Sequence, residues 1–265
     1  MATNTIPTDV AAASEVLTER SGAILSIQMN RPAKKNAMTG SMYVAIAELL
    51  DGAARDETVR VVVWHAAGDS FTAGNDLEDF LNTPAGVSET PQTRLMRSLV
   101  AFEKPLIAAV KGFALGGGTT MLNHCDFVYA GETTRFQLPF VDLALNPEFG
   151  SSYLLPLRIG QLRAAEMFYL GKPFDAAQAA QLGLVTRVVP DQQLLDTAYE
   201  TAKKLAEKPA HALQASKRLV RHALRAQTLE AIGLENEAFA AGLASPEAKA
   251  VFAAFLAKSR APRHS

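Results

Sequence analysis

One carboxylate in the sequence stands apart from the other charges. Glu148 is the only charged residue between Leu143 and Leu157, in the run LALNPEFGSSYLLPL. A carboxylate in such apolar surroundings is costly to ionise, so its pKa rises towards the range that a general base or proton shuttle requires. A glutamate at a helix start would instead face water and be stabilised by the helix dipole. The run by itself leaves both interpretations open.

A second candidate is the glycine triplet Gly116–Gly118, which lies between a predicted strand and a predicted helix. Glycine lets backbone N–H groups approach a ligand without a side chain in the way, and a helix N-terminus adds a positive dipole end. A Walker phosphate loop needs Lys and then Ser or Thr after its last glycine, but Thr119 and Thr120 follow here. The dinucleotide pattern G-x-G-x-x-G is also absent, which leaves an oxyanion hole or a tight turn.

The segment FTAGNDL, Phe71–Leu77, repeats this arrangement of strand, glycine-containing loop and helix. It follows the predicted strand Arg60–Trp64. Two such junctions can direct two backbone N–H donors at one oxygen, as a developing enolate or tetrahedral oxyanion requires. Removing one donor of this kind typically lowers the rate by about 10²–10³-fold.

The elements that must position these residues alternate between strand and helix, which predicts an α/β fold with parallel pairing. The predicted strands are Glu15–Thr18, Ala23–Met29, Arg60–Trp64, Leu106–Val110 and Phe127–Ala130. The predicted helices are Ser41–Arg55, Asp76–Leu81, Arg94–Phe102 and Thr119–His124. We expect a turn at Arg20–Gly22, a loop at Asn82–Thr90, and only helical spacing from Gln192 to Lys258, broken at Pro209, Gly233, Gly242 and Pro246.

The composition limits the kinds of partner and compartment. The chain has 265 residues, 48% of them hydrophobic, and a formal net charge of −1, so no global field favours nucleic acid or an anionic membrane. No apolar run reaches the roughly 18 residues needed to span a bilayer, and the N-terminus lacks the basic start and apolar block of a signal peptide. With one cysteine, Cys125, and no peroxisomal C-terminal tripeptide, we expect a cytoplasmic protein.

Taken together, the motifs resemble those of the crotonase superfamily, the enoyl-CoA hydratase/isomerase family. The similarity runs from about Leu17 to Lys258. The matching stretches are MNRPAKKNAM (Met29–Met38), FTAGNDLEDF (Phe71–Phe80), EKPLIAAVKGFALGGG (Glu103–Gly118), CDFVYAGETTRF (Cys125–Phe136) and AAQAAQLGLVTRVVP (Ala176–Pro190). Any one of them alone is a weak signal, whereas the combination is specific.

The resemblance implies a crotonase-like spiral of strand–strand–helix turns in residues 14–195, which carries the active site. Residues 1–13 are expected to form a flexible arm, and residues 196–265 a C-terminal helical region for trimerisation. The resemblance further implies an acyl-CoA thioester as the substrate and a homotrimer or a dimer of trimers. Coenzyme A is then the carrier of the substrate, and no other cofactor and no metal site are expected.

The resemblance also assigns residues to the site. The two oxyanion-hole amides fall on Asn75 and Gly117. The residues placed along coenzyme A are Lys34, Lys35, Ala73, Gly74, Asp76, Leu77 and Lys258. Because surface lysines are commonplace, the three lysines are equally open to interpretation as solvated charges, and Asp76 as a cap or turn residue.

Two positions bear on the choice among the reactions of this family. Hydratases carry two glutamates that activate one water, and their positions hold Thr120 and Phe140 here. The stretch from Pro139 to Tyr153 is instead similar to the pattern P-F-x-x-L-x-x-x-P-E-x-x-S-S-Y of peroxisomal-type Δ3,Δ2-enoyl-CoA isomerases, with a match at each fixed position. In that branch the glutamate, here Glu148, is the sole acid/base. The resemblance therefore implies an isomerase that moves a 3-enoyl-CoA double bond to the 2-trans position in fatty acid β-oxidation.

Two other functions remain open from the sequence. An enoyl-CoA hydratase, or another enolate-forming reaction on acyl-CoA, would use the same oxyanion hole. A catalytically silent acyl-CoA-binding protein would fit the loss of the hydratase glutamates, although the intact Glu148 argues against it. For three further residues we expect structural roles, Trp64 in the core and His124 and Cys125 in packing.

Overall fold

The computed structural model describes the backbone of residues 14–81 and 89–260, and the side chains of these residues except 80–81 and 255–260. The expected N-terminal arm, residues 1–13, and residues 82–88 of the expected loop Asn82–Thr90 lie outside the described residues. The side chain of Lys258 lies outside them as well, although its backbone belongs to the last helix.

Nine strands in this part of the chain form two sheets. They are β1 (Val16–Ser21), β2 (Ile24–Met29), β3 (Val61–Ala66), β4 (Leu106–Val110), β5 (Phe113–Leu115), β6 (Phe127–Gly131), β7 (Arg135–Gln137), β8 (Phe174–Asp175) and β9 (Arg187–Val189). The larger sheet has the order β1-β2-β3-β4-β6-β9 and is parallel except for the β1–β2 hairpin. The smaller sheet, which the sequence did not predict, has the order β5-β7-β8.

Ten α-helices occur in the same residues. They are α1 (Gly40–Arg55), α2 (Leu77–Leu81), α3 (Pro91–Ala101), α4 (Gly117–Thr120), α5 (Ser151–Ile159), α6 (Gln161–Leu170), α7 (Ala176–Gln181), α8 (Leu194–Ala206), α9 (Ala210–Ala244) and α10 (Pro246–Arg260). The predicted alternation of strand and helix, followed by helices alone, is confirmed, with most element ends shifted by a few residues. The predicted helix Thr119–His124 differs more, because Met121–His124 forms a 3-10 helix after α4. None of the described helices, α9 with its 35 residues included, is long and apolar enough to cross a membrane.

The larger sheet is covered on both faces, as its central strand indicates. All six residues of β3 are buried. Val62 and Trp64 face the apolar cluster that includes α1 and α3, whereas Val61 and Val63 face a second cluster that α8 covers. Unbroken apolar strands are typical of parallel sheets with helices on both faces. Trp64 is fully buried, which confirms its expected place in the core.

Helix α1 shows how local sequence sets an element on which the candidate site depends. Thr39 precedes the helix, and its hydroxyl accepts a hydrogen bond from the Met42 amide at 3.3 Å, as an N-cap does. The buried residues recur at helical spacing on one face: Met42, Tyr43, Ile46, Ala47, Leu50 and Ala53. This face packs into the core and carries the Tyr43 hydroxyl towards the segment that follows β3.

The first turn lies later than the sequence predicted. Arg20 and Ser21, expected in the turn, are the last residues of β1 and pair with β2. The turn therefore consists of Gly22 and Ala23, and Gly22 has a φ of +57°. Two-residue hairpin turns require positive φ, which glycine adopts at the least cost.

The predicted breaks at Pro209 and Pro246 are confirmed, but those at Gly233 and Gly242 are wrong, because α9 continues through both glycines. A single glycine costs a helix only about 1 kcal/mol, which tertiary packing offsets. At Gly242 a Cβ would lie 3.2 Å from the carbonyl oxygen of Ala144. The missing side chain therefore lets α9 pass close to the segment that contains Glu148.

Helix α9 is attached to the larger sheet through one carboxylate. Asp126, which precedes β6, accepts hydrogen bonds from Lys217 and Arg221 of α9 at 2.7 and 2.9 Å, and from the Leu106 amide at 2.8 Å. Burial lowers the pKa of Lys217 to about 8, although the Asp126 carboxylate opposes this shift. The charge on Lys217 therefore depends on Asp126.

We predict that Asp126→Asn lowers the free energy of unfolding by about 3 kcal/mol, because it leaves the buried ammonium of Lys217 without a counter-charge. Urea unfolding at pH 7, followed by circular dichroism, measures the change. The matched control is Glu103→Gln, which removes a more exposed carboxylate 2.9 Å from Arg218 of the same helix. A surface pair of that kind contributes about 0–1 kcal/mol, so equal losses in the two variants would contradict the role of Asp126.

Candidate active site

The two glycine-containing junctions of the sequence meet in the structure. Strand β5 runs beside the segment after β3, since the Thr72 amide donates to the Phe113 carbonyl oxygen at 2.9 Å and the Leu115 amide to that of Thr72 at 3.1 Å. Gly74 has a φ of +90°, and a Cβ there would lie 3.1 Å from the Leu115 carbonyl oxygen. Glycine suits this combination of backbone angle and close approach. Asn75 and the start of α4 consequently line the same cavity.

Asn75 lines this cavity, and its backbone amide differs from those of its two neighbours. The neighbouring amides are engaged, that of Gly74 with Thr72 Oγ1 at 3.1 Å and that of Asp76 with a backbone carbonyl oxygen at 2.9 Å. Within the described residues we find no backbone acceptor for the Asn75 amide itself. The Asn75 side-chain oxygen accepts a hydrogen bond from the buried Tyr43 hydroxyl at 2.8 Å, which orients the residue.

Gly117 begins α4 and contacts Glu148. The preceding Gly116 has a φ of +53°, and its amide donates to the Gln137 carbonyl oxygen at 2.9 Å. A Cβ at Gly117 would lie 2.5 Å from Glu148 Oε1, so a larger residue would displace the carboxylate. The Gly117 amide donates a hydrogen bond to that carboxylate. The predicted oxyanion amide and the predicted base are therefore in direct contact.

Glu148 is a buried acid with a raised pKa. The residue is 4% exposed, which excludes the interpretation of a water-facing glutamate at a helix start. Burial raises its pKa to about 8, and the negative charge of Glu235 adds to the rise, whereas the hydrogen bond from Gly117 opposes it. A carboxyl group that titrates near neutral pH can both accept and release a proton, as an acid/base catalyst must.

The backbone after Glu148 is held in an uncommon conformation. Phe149 has a φ of +63°, which an aromatic residue adopts only where its surroundings compensate the cost. Its carbonyl oxygen lies 2.8 Å from His124 Nε2. Its ring is fully buried, with centroid distances of 6.5 Å to Tyr43 and 6.4 Å to His124. His124 thus has the structural role expected of it, and Cys125 beside it is buried as well.

A cavity of about 440 Å³ lies in front of Glu148. Both glycine junctions, the Glu148 segment and the last two helices contribute to its wall. Its apolar lining residues include Leu115, Phe140, Leu143, Leu145, Phe239 and Phe252. Concave sites of this kind, largely apolar with a few convergent polar groups, are typical of small-molecule binding.

The structure brings most of the predicted ligand-binding residues to this cavity. Its lining includes Lys34, Ala73, Gly74, Asn75, Asp76, Leu77 and Gly117. Lys35 is not among the described lining residues, and its Nζ instead lies 2.5 Å from Asp69 Oδ2. Asp76 also caps α2, because its Oδ1 accepts hydrogen bonds from the Glu78 and Asp79 amides at 3.1 and 3.3 Å.

The two positions that distinguish hydratases carry no charge in this protein. Thr120 is buried, and its hydroxyl donates to the Gly117 carbonyl oxygen at 3.3 Å. Phe140 is buried and lines the cavity. Of the two, only Phe140 is among the described residues that line the cavity, so the wall at that position is apolar.

Four residues near the site were not predicted from the sequence: Tyr43, Glu235, Phe239 and Phe252. Tyr43 lies in a helical stripe that resembles ordinary core. Glu235 lies in a helix with many charged residues, and only its position on the same helical face as Thr228 and Ile232 could have indicated burial.

Comparison with known proteins identifies the family. A family model described as Enoyl-CoA hydratase/isomerase matches residues 19–264. The chain is 37% identical to enoyl-CoA delta isomerase 2 of Rattus norvegicus over 212 residues, which are 78% of this chain and 54% of the relative, so it spans about half of that protein's length. It is 34% identical to the 2,3-dehydroadipyl-CoA hydratase of Escherichia coli over 246 residues, 92% of this chain and 96% of the relative.

A solved structure shows the same fold. OdaA of Pseudomonas aeruginosa superposes with a TM-score of 0.89 at 40% identity, over 92% of this chain and 99% of that chain. The predicted α/β crotonase fold with C-terminal helices is thereby confirmed. The chain belongs to the enoyl-CoA hydratase/isomerase family, the crotonase superfamily.

Proposed function

We propose that the protein is a Δ3,Δ2-enoyl-CoA isomerase, which shifts the double bond of a 3-enoyl-CoA to the 2-trans position in fatty acid β-oxidation. The observation that carries the proposal is the buried carboxyl of Glu148 in contact with the Gly117 amide. A 1,3-proton transfer needs one group that takes a proton from C2 and returns it to C4. A single carboxyl with a raised pKa beside an oxyanion donor meets that need.

Glu148 differs from the other acids of the cavity. The described lining contains three carboxylates, and only that of Glu148 is buried. Asp76 accepts hydrogen bonds from Arg31 at 3.0 Å and from amides of α2, and Glu78 is exposed. Glu148 is therefore the candidate base for a reaction on a buried acyl chain.

We infer that binding of the thioester frees this base. In the protein without substrate, the hydrogen bond from Gly117 lowers the pKa of Glu148. When the thioester oxygen takes that hydrogen bond, together with one from the Asn75 amide, the carboxylate becomes a stronger base. After the proton leaves C2, the two amides stabilise the dienolate oxygen, and the apolar wall strengthens both hydrogen bonds. Glu148 then delivers the proton to C4.

The surroundings of Glu148 disfavour addition of water. Thr120 and Phe140 stand where hydratases of this family carry carboxylates, and a hydroxyl and a phenyl group cannot replace a water-activating pair. An apolar wall also limits exchange of the carried proton with solvent. The isomerase name of the rat relative supports the same choice.

Coenzyme A is placed, in this proposal, along the loop around Lys34 and the segment Ala73–Leu77, which line the cavity. Lys34 would attract a phosphate group of the nucleotide. Lys35 forms an ion pair with Asp69, so its contribution to coenzyme A binding is expected to be smaller. Lys258 is proposed to reach a further phosphate.

We also propose that residues 196–265 join the core, residues 14–195, to partner subunits in a homotrimer or a dimer of trimers. Helix α9 supports this with large apolar side chains in solvent, since Leu219, Val220 and Leu234 are 77%, 78% and 63% exposed. Exposed apolar surface often marks an interface. We expect sedimentation at several concentrations to give the mass of three or six chains of 28.4 kDa. A persistent monomer would contradict this proposal.

We predict that Glu148→Gln lowers kcat for isomerisation of a 3-enoyl-CoA by about 10²–10⁴-fold, because an amide cannot carry the proton. Formation of the conjugated 2-enoyl-CoA is followed by its ultraviolet absorbance, and calorimetry checks that thioester binding is retained. The matched control is Glu166→Gln, which changes an exposed carboxylate on α6 and should keep full activity. Full activity in Glu148→Gln, or no conversion by the wild type, would refute the proposed reaction.

The same preparations distinguish the alternative functions. A 2-enoyl-CoA is tested for addition of water, and several acyl-CoAs for deuterium exchange at the α-carbon. Hydration would indicate a hydratase, and exchange without bond migration would indicate another enolate-forming reaction. Binding without any turnover would indicate a silent acyl-CoA-binding protein.

The burial that raises the pKa of Glu148 also costs stability at alkaline pH. The ordinary pKa of a glutamate is 4.5, and that of Glu148 in the folded protein is about 8. Between these values the folded state holds a proton that the unfolded state lacks, so the free energy of unfolding falls as pH rises. We therefore predict that Glu148→Gln is more stable than the wild type at pH 8, by a margin that shrinks towards pH 4.5. Urea unfolding at both pH values measures this, with Glu166→Gln expected to match the wild type. A less stable Glu148→Gln at pH 8 would show the prediction to be wrong.

A further inference from the structure

Glu235 is a second buried acid near the candidate site, on helix α9. The residue is 5% exposed. Its two carboxylate oxygens accept hydrogen bonds from the amides of Gly150 and Ser152, at 2.6 and 2.7 Å. These amides lie at the N-terminal end of α5, directly after the segment that carries Glu148. The carboxylate thus holds the chain close to the candidate base.

Helix α5 depends on this contact because it has no cap of its own. Its N-cap residue is Gly150, which has no side chain to accept the first amide hydrogens. Unpaired amides at the start of a buried helix are costly, and an ionised acceptor makes the strongest hydrogen bonds there. Glu235 supplies from α9 the cap that the local sequence lacks.

Helix α9 also contacts the residues on either side of Glu148, at Gly150 and at Asn146. A Cβ at Gly150 would lie 2.8 Å from Thr228 Cγ2, so α9 packs directly against that backbone. Asn146, on the other side of Glu148, donates its side-chain amide to the Glu235 carbonyl oxygen at 3.1 Å. Glu148 therefore lies between two points of attachment to a single residue of α9.

We propose that Glu235 is a positioning residue for the Glu148 base: it fixes the backbone on both sides of Glu148 and faces it as a nearby negative charge. This inference rests on the isomerase function proposed above. Glu235 is not among the described residues that line the cavity, so it acts through Glu148 and not on the substrate.

The charges around Glu148 determine in which direction Glu235 shifts the pKa of Glu148. In the described residues, two titratable groups interact directly with Glu148, namely Tyr43 on α1 and Glu235 on α9. His124 lies one step further away, because it is hydrogen-bonded to the carbonyl oxygen of the next residue, Phe149. Burial raises the pKa of Tyr43 and lowers that of His124 to about 4, so both are neutral near pH 7. Burial is the first cause of the raised pKa of Glu148 and the charge of Glu235 the second. Burial raises the pKa of Glu235 too, but the hydrogen bonds from Ser152 and Gly150 oppose that rise and favour its charged form. Removing that charge is therefore expected to lower the pKa of Glu148.

The test begins with Glu235→Gln, which keeps the size of the side chain, removes its charge and leaves one of the two amides without an acceptor. We expect the acidic limb of the kcat–pH profile to move to lower pH. We also expect the plateau value of kcat to fall by up to about 10²-fold, as small misplacements of catalytic groups do, with KM nearly unchanged.

Two further variants separate charge from position. Glu235→Asp keeps the charge but is one methylene shorter, so kcat should fall while the acidic limb stays near its wild-type pH. Glu237→Gln, an exposed site on the same helix, should change neither quantity. A purely structural cap would lower kcat in Glu235→Gln and Glu235→Asp without moving the acidic limb in either, and that result would overturn the proposal.

The titration of Glu148 can also be measured without any enzymatic activity, so the role of Glu235 can be tested separately from the proposed reaction. Carbon-13 NMR of glutamate-labelled protein follows the Glu148 carboxyl, which is assigned by its loss in Glu148→Gln. We expect a midpoint near pH 8 in the wild type and a lower one in Glu235→Gln. A shifted midpoint in a protein without isomerase activity would refute the reaction and support the role of Glu235. An unshifted midpoint in an active isomerase would overturn the role of Glu235 alone. If Glu235→Gln does not fold, wild-type kcat in Glu235→Asp would overturn it equally.

Discussion

A desolvated carboxyl beside a backbone amide is the interaction on which the rest of the candidate site depends. An ordinary glutamate titrates near pH 4.5, and burial holds the proton of Glu148 to about pH 8. This shift persists only while the carboxyl is kept away from water, because a side chain free to turn outward would regain its hydration. The surrounding structure must therefore be closely packed and must still leave room for an acyl chain. The apolar wall of the cavity and the buried Phe149 behind it meet these two demands.

Close approaches between distant parts of the chain make this geometry possible, and glycine permits each of them. The Leu115 carbonyl oxygen packs against Gly74, the Glu148 carboxylate against Gly117, and the Ala144 carbonyl oxygen against Gly242. A Cβ at any of these positions would lie within 3.2 Å of the neighbouring oxygen. The oxyanion amides, the base and the C-terminal helix are thus placed by the absence of side chains as much as by their presence.

Helix α9 connects the sheet to the base. Near its beginning, Lys217 and Arg221 bind Asp126 beside the larger sheet, and further along Glu235 binds the start of α5. Its 35 residues extend over about 50 Å, so one rigid element spans both attachments. In the assembly proposed here, its exposed apolar residues would add contacts with a partner, and subunit association would then stiffen the segment that holds Glu148.

The sequence by itself determined those features that depend on short stretches of residues. The unbroken run of β3 indicated a buried parallel strand, the isolated charge of Glu148 indicated a candidate base, and the combination of motifs identified the family. The breaks predicted at Gly233 and Gly242 were wrong, because packing of a long helix outweighs the intrinsic cost of single glycines. Only the tertiary structure decided that Tyr43 orients Asn75 and that the charge of Glu235 is near enough to raise the pKa of Glu148. The pKa of a buried group depends on every charge and dipole within a few ångströms, wherever in the sequence these lie. The Glu235 carboxylate, for example, accepts a hydrogen bond from an amide 85 residues away in the chain, and local periodicity does not encode such a contact.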